Sequence, residues 1–308
     1  MSKIKSKQNT LLTNIRQRPL LYLMAVPIVV YYVVFHYIPM LGIVIGFQNY
    51  LPARGFFNSE WVGLDQFTRF FHSMNFERLV RNTFLISFYD LLFGFPVPIL
   101  FALLLNEVKN TKFKKVTQTI TYMPHFISLV VICGLIYTFT KSNSPLAQLV
   151  ATLTGNKAEN LLSNAKYFRT IYVVSGIWQG FGWGSIIYFA ALSGVDPTLY
   201  EASYLDGAGR FQQAIHVTLP SIAPTIIIML ILRIGSLMSV GHEKIILLYS
   251  PITYKTSDVI SSYVYRSGLR EMNYSYGTAV GLFNSVINLV LVLGANWISR
   301  RVTETSLW

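Results

Sequence analysis

The stretch PLLYLMAVPIVVYYVVFHYIPMLGIVIGFQNYLPA, residues 19–53, runs 35 residues without an Asp, Glu, Lys or Arg. A hydrocarbon layer about 30 Å thick needs about 20 helical residues, so this run is long enough to cross a bilayer. It is too long for the apolar core of a cleavable signal and has no small-x-small site before Pro27, so it is expected to stay as an anchor. Further along the chain, uncharged runs recur at 116–140, 170–195 and 272–299. Two more are interrupted once, 82–106 by Asp90 and 211–242 by Arg233. A barrel would show short alternating segments instead. The reading is an all-α integral membrane protein of six transmembrane helices, near residues 20–46, 80–105, 119–139, 171–192, 222–241 and 278–298.

Composition points the same way. Of 308 residues, 53% are hydrophobic and only 12% are charged, about half the charged share of an average soluble protein. That is too little polar material to wrap a water-facing surface, which argues against a soluble enzyme. The single cysteine, Cys133, forbids an internal disulfide or a cysteine metal cluster and reads as a small buried thiol. A net charge of +12 would suggest nucleic acid in a soluble protein. In a membrane protein it is read first by the rule that gathers Lys and Arg on the cytoplasmic side, and no nucleic-acid partner is expected.

The N-terminal flank, residues 1–18, carries Lys3, Lys5, Lys7, Arg16 and Arg18, and the loop after the second run carries Lys109, Lys112, Lys114 and Lys115. Total Lys and Arg are about equal on the two sides, so the density in short segments decides. It places both termini inside, with residues 300–308 as a cytoplasmic tail, residues 19–299 as one membrane domain, and longer outer loops near 47–79, 140–169 and 242–277. Prolines punctuate the spans at Pro27, Pro39, Pro96, Pro98 and Pro124 and are expected to kink them. Gly176, Gly180 and Gly184 recur every fourth residue, which fits a close helix contact or a transport path equally well.

The segment 193–220, SGVDPTLYEASYLDGAGRFQQAIHVTLP, falls between the fourth and fifth runs on the cytoplasmic side. Asp196 suits an N-cap, Pro197 the first helical position, and Gly207 a left-handed stop. A second helix is expected from Gly209, with Phe211, Ile215 and Leu219 on one stripe and Pro220 at its end. The mixed apolar and acidic face of this hairpin suits docking on another protein.

The pattern Glu201-Ala-Ser-x-x-Asp206-Gly207-Ala208, followed by Leu219-Pro220, resembles the EAA loop of membrane permeases of binding-protein-dependent ABC importers. Two positions depart from that pattern: Ser203 replaces the second Ala, and Ala214 stands where Phe is usual. The stretches Leu20-Leu-Tyr-Leu-Met, Pro39-Met-Leu-Gly-Ile, Trp61-Val-Gly-Leu and Tyr122-Met-Pro-His resemble the maltose-type sugar permeases, in particular the branch for oligosaccharides and polysaccharide fragments, and the likeness covers nearly all of the chain.

The resemblance implies a type I ABC importer fold in the bacterial cytoplasmic membrane, with the hairpin as a coupling helix in a cleft of a separate ATPase. Glu201, Ala202, Asp206, Gly207, Ala208, Leu219 and Pro220 are the positions it assigns to that coupling. It also implies a second, similar permease forming a heterodimer, two ATPase subunits that bind ATP and Mg, an extracytoplasmic solute-binding protein and an oligosaccharide substrate. No G-x-x-x-x-G-K-[ST] phosphate cradle occurs, so this chain is expected to be no enzyme and to hold no cofactor of its own.

Charges inside a membrane cost about 2.5–3.5 kcal/mol each on insertion scales and face a cavity or a partner. Asp90 and Arg233 lie at nearly equal depths, about ten and eight residues in from the outer ends of their spans, and are expected to pair. Whether the pair is structural or touches substrate stays open. Trp178, Gln179, Trp183 and Tyr188 in the fourth run, with Asn284 and Asn288 in the last, combine aromatic faces and amides suited to a sugar; aromatics also serve helix interfaces. The five histidines never fall at ligand spacing, His242-Glu243 lacks the second His of H-E-x-x-H, and no nucleophile-base pair is discernible. The competing reading is a secondary transporter driven by an ion gradient, with Asp90 as its proton or sodium site.

Overall fold

The computed structural model describes residues 17–303, 306 and 307. Lys3, Lys5, Lys7 and Arg16 of the basic N-terminal flank lie outside the described residues. The regular elements of the described residues are helices apart from one two-stranded hairpin, in which β1 (Gln48–Asn49) pairs antiparallel with β2 (Glu60–Trp61). Among the described residues four helices are long and apolar enough to cross a membrane: α1 (Pro19–Phe47), α2 (Phe76–Asn106), α8 (Arg210–Gly235) and α9 (Tyr274–Thr303). A fifth candidate is the pair α3 (Thr111–Phe126) and α4 (Leu129–Thr140), bent by 97°. The expected single rod over 119–139 is therefore broken. Pro124 sits in a tight 3₁₀ turn, Ile127 is extended, and the Ser128 hydroxyl accepts the Val131 N–H to start a new helix.

The fourth expected run folds as α5 (Ala165–Gly184) and α6 (Ile186–Ser193), separated at Ser185. Two further boundaries differ from expectation. The fifth span does not start at 222 but continues without a stop from Arg210, and it ends at Gly235 rather than 241. Its end is set by packing: a Cβ on Gly235 would lie 2.8 Å from the Val292 side chain of α9, and Asn288 of α9 receives the Met238 N–H at 2.9 Å just beyond.

Prolines bend these helices less than they reshape their turns. Wide π turns occupy Val33–Tyr37, Asp90–Gly94 and Ala214–Thr218, and each ends two residues before a proline: Pro39, Pro96 and Pro220. Proline has no N–H and its ring crowds the carbonyl four residues back; a wider turn moves that carbonyl aside and lets the helix go on. In lipid that outcome is favoured, because a stopped helix leaves backbone groups with no water to satisfy them.

Because lipid tails are as apolar as leucine, helices in a membrane associate through close packing rather than through a hydrophobic drive. The structure shows this at Gly46 against Ala279, at Gly182 against the Thr121 carbonyl, and at Gly277, where a Cβ would sit 2.6 Å from Gly268 Cα. α9 is the central post, touching the end of α1, the Leu219–Gly235 part of α8, the short helix Asp65–Phe71 and residues 260–270. One apolar core joins α2, α6 and α8 through Ile99, Ala102, Tyr188, Leu192 and Ile222. Two others gather at the far end of the bundle, around Phe168 and Ile245 and around Phe70 and Val280. None of residues 19–40 is buried, so α1 presents its sides outward over most of its length.

Candidate functional site

Between α2, α5 and α8 lies a cavity of about 630 Å³. Asp90 of α2 and Arg233 of α8 both line it and form an ion pair, with both side chains part-exposed. Arg233 stands only two residues from the end of α8, nearer the end of its helix than the expected eight. The π turn at Asp90–Gly94 and the absence of a side chain at Gly94 make room for the carboxylate: a Cβ there would be 3.0 Å from Asp90 Oδ1.

Gln179 and Tyr188 line the same cavity, as do Gly176, Gly180 and Gly184. The glycine stripe therefore opens onto space. The tight helix contact on α5 is made instead by Gly182, against α3. The other candidates are not brought to the cavity. Trp178 is exposed, and Trp183 stacks on His125 with ring centroids 4.7 Å apart at the bend between α3 and α4. Asn288 is engaged in holding the end of α8, donating to Ser239 Oγ at 2.9 Å besides accepting from Met238. Asn284 points its Oδ1 into a buried position without a hydrogen-bond partner.

Lys244, on the short helix His242–Leu248, lines this cavity too and was not singled out from sequence. It is 8% exposed and donates to the Tyr172 carbonyl at 3.1 Å. Burial pushes its ammonium down to about 8, with the nearby Cys133 thiol acting in the opposite sense. A lone lysine just past an apolar run was the available signal, but charges at the ends of such runs read as punctuation.

At the opposite end of α8 sits the hairpin. α7 (Pro197–Leu205) begins at Asp196, whose carboxylate accepts the Thr198 N–H at 2.9 Å and is held below its usual pKa range by Thr198. Gly207 adopts φ +81°, a left-handed stop that a side chain would strain. The chain then enters α8 at Arg210. The second hairpin helix does not end at Pro220: it runs through the π turn at Ala214–Thr218 and becomes the span itself.

Side-chain bonds tie α7 to the base of α8. Tyr200 and Thr218 hydroxyls meet at 3.0 Å, and Gln213 Nε2 donates to Ser203 Oγ at 3.0 Å. Ser203, which departs from the expected Ala, thus supplies an acceptor that Ala lacks. Glu201, Ala202, Asp206, Gly207, Leu219 and Pro220 are exposed and Ala208 is half-buried. Leu205 is 86% exposed, and Tyr204 and Phe211 stand out beside it. Such a surface of large apolar side chains rimmed by acids marks an interaction site.

A family model described as the binding-protein-dependent transport system inner membrane component matches residues 88–304. The chain belongs to this family. The permease is 43% identical to Protein LplB of Bacillus subtilis (strain 168), over 94% of this chain and 91% of that protein. It is 41% identical to the polygalacturonan/rhamnogalacturonan transport system permease protein YteP of the same organism, over 99% of this chain and 95% of that protein. Among solved structures it is similar to a crystal structure of a bacterial ABC transporter involved in the import of the acidic polysaccharide alginate. That match has a TM-score of 0.86 and 43% identity, over 96% of this chain and 99% of that one. The same TM-score, with 42% identity, relates it to that transporter in complex with an alginate pentasaccharide-bound periplasmic protein. The permease is thus the membrane component of an importer served by a binding protein, not its nucleotide-binding subunit.

Proposed function

We propose that this permease passes an oligosaccharide inward through the cavity between α2, α5 and α8, by alternating access driven from the hairpin of residues 193–220. The carrying observation is that α8 is one helix with the hairpin latched to its base and Arg233 at its other end. From Thr218 to Arg233 is 15 residues, about 22 Å of helix at 1.5 Å per residue. A push on the hairpin is delivered along a stiff rod to the wall of the cavity.

In this reading the hairpin sits in a cleft of an ATPase subunit through Glu201, Ala202, Asp206, Gly207, Ala208, Leu219 and Pro220. ATP and Mg are bound there, not here. α5 with α6 is the sixth crossing beside the four long helices and the bent α3–α4 pair. Both termini and the hairpin are cytoplasmic, and residues 19–299 form one membrane domain. A second permease completes the path as a heterodimer, with two ATPases inside and a solute-binding protein outside. The relatives named for polygalacturonan/rhamnogalacturonan transport and for alginate import support an oligosaccharide as cargo. The gradient-driven alternative needs Asp90 free to take up an ion; its pairing with Arg233 favours the ATP-driven reading.

Reconstitution of the complete transporter in proteoliposomes tests this. Uptake of labelled oligosaccharide should require ATP on the hairpin side and loaded binding protein on the other, and should survive an ionophore. Uptake that collapses with the ionophore and proceeds without the ATPase subunits would reverse the conclusion.

A further inference from the structure

We infer that Lys244 is a carboxylate-binding residue of the cavity, so that the cargo is an acidic, uronate-bearing oligosaccharide. This rests on the reading of the cavity as the sugar path and adds to it the charge of the sugar. Three charged side chains line the cavity: Asp90, Arg233 and Lys244. Asp90 and Arg233 neutralise each other. Among the described residues the ion pairs are Arg78–Asp258, Arg233–Asp90 and Arg266–Asp258, and none includes Lys244. The cavity therefore carries one uncompensated positive charge.

The surroundings of that charge are built for an incoming anion. Of the three N–H groups on Nζ, one goes to the Tyr172 carbonyl. The Tyr172 ring lies below, 4.7 Å from Nζ to its centroid. On the cavity side stands Gly176, and a Cβ there would come within 3.4 Å of Nζ. The missing side chain keeps open the approach to the ammonium. Its lowered pKa has the same cause as its affinity for an anion: water has been removed and no carboxylate has replaced it. A sugar hydroxyl can accept one of these N–H groups but leaves the buried charge in place, whereas a sugar carboxylate accepts the same N–H and cancels that charge.

The test uses the complete transporter with its binding protein in proteoliposomes, and labelled trigalacturonate, trimannuronate and triguluronate beside galactotriose and mannotriose. Wild type is expected to import at least one uronate. Lys244→Gln should lower that import at least tenfold while ATP hydrolysis stimulated by the loaded binding protein persists, and Lys244→Arg should restore it to within about threefold of wild type. Import of only neutral sugars, unchanged uronate import in Lys244→Gln, or a parallel loss of stimulated hydrolysis would each overturn the assignment while leaving an oligosaccharide permease. Failure of wild type to import any of the five would overturn the oligosaccharide reading as well.

Discussion

If α8 carries force from the hairpin to the cavity, loosening the hairpin from α8 should waste ATP. The double variant Tyr200→Phe, Ser203→Ala removes the two bonds between side chains across that joint, Tyr200–Thr218 at 3.0 Å and Gln213–Ser203 at 3.0 Å. Neither change strands a buried group. Thr218, 2% exposed, keeps its bond to the Gln213 carbonyl at 3.3 Å, and Gln213 keeps the Tyr200 carbonyl at 3.5 Å. Each lost bond is worth about 1 kcal/mol net, so the pair is worth about 2 kcal/mol, about 30-fold in an equilibrium constant. Taking these bonds as the latch, latched over unlatched falls from about 30:1 to about 1:1 in the double variant and to about 5:1 in either single one. About half of the hydrolysis events then move nothing, and ATP used per sugar imported about doubles, against a rise of about one sixth for each single variant. The assay is simultaneous measurement of phosphate release and labelled sugar uptake in proteoliposomes. A stoichiometry unchanged in the double variant, or uptake and hydrolysis falling in proportion, would refute the rod-and-latch reasoning.

Further outcomes follow from other parts of the structure. Asp90→Arg and Arg233→Asp should each depress transport at least tenfold, and the two together should recover a substantial part of it; a double reversal as inactive as either single one would contradict the pair. Gly182→Val places a side chain against the Thr121 backbone, where neither helix can yield, and should cost about 1–3 kcal/mol of stability by overpacking, read as a lower melting temperature in detergent; Gly180→Ala, with no heavy atom within 4 Å of its Cβ site, should leave it unchanged. The Lys244 ammonium, at about 8, carries its charge below that pH and loses it above. It is faced by the Cys133 thiol, the Tyr172 ring and carbonyl and Gly176, with Asp90 and Arg233 across the cavity and His242 and Glu243 on its own helix. KM for a uronate substrate should therefore rise above pH 8, by up to about tenfold per unit, and Lys244→Arg should flatten that rise.

The helix cores and the hairpin were legible because their causes are local. Uncharged runs of 25 residues or more have few alternatives to helices in a bilayer, and Asp196, Pro197 and Gly207 each determine one backbone conformation at one place. The pairing of Asp90 with Arg233 was legible because buried charges need partners and only two stood out. What was not legible depends on neighbours. Pro220 reads as a terminator in a water-exposed chain, but next to an apolar run a π turn absorbs it and the helix continues. Pro124 looks no different in sequence, yet there Ser128 caps a new helix and the span bends. The glycines of α5 show the same limit: Gly176 and Gly182 are equivalent as letters, and only the fold decides that one opens a cavity and the other admits a backbone. Trp183 and Asn288 have the right chemistry for a sugar and are engaged elsewhere, by His125 and Met238. Lys244 escaped because its burial comes from a helix that folds back after the span has ended.

The hairpin as a socket is tested most directly by the rate at which a cysteine placed at Leu205 reacts with a water-soluble maleimide. Leu205 is 86% exposed, and the native Cys133 is 5% exposed and shielded from the reagent. Leu205→Cys should be labelled rapidly in membranes holding the permeases alone and be protected at least tenfold once the ATPase subunits are bound. Equal rates with and without the ATPase would leave the hairpin standing in water and contradict its role in coupling.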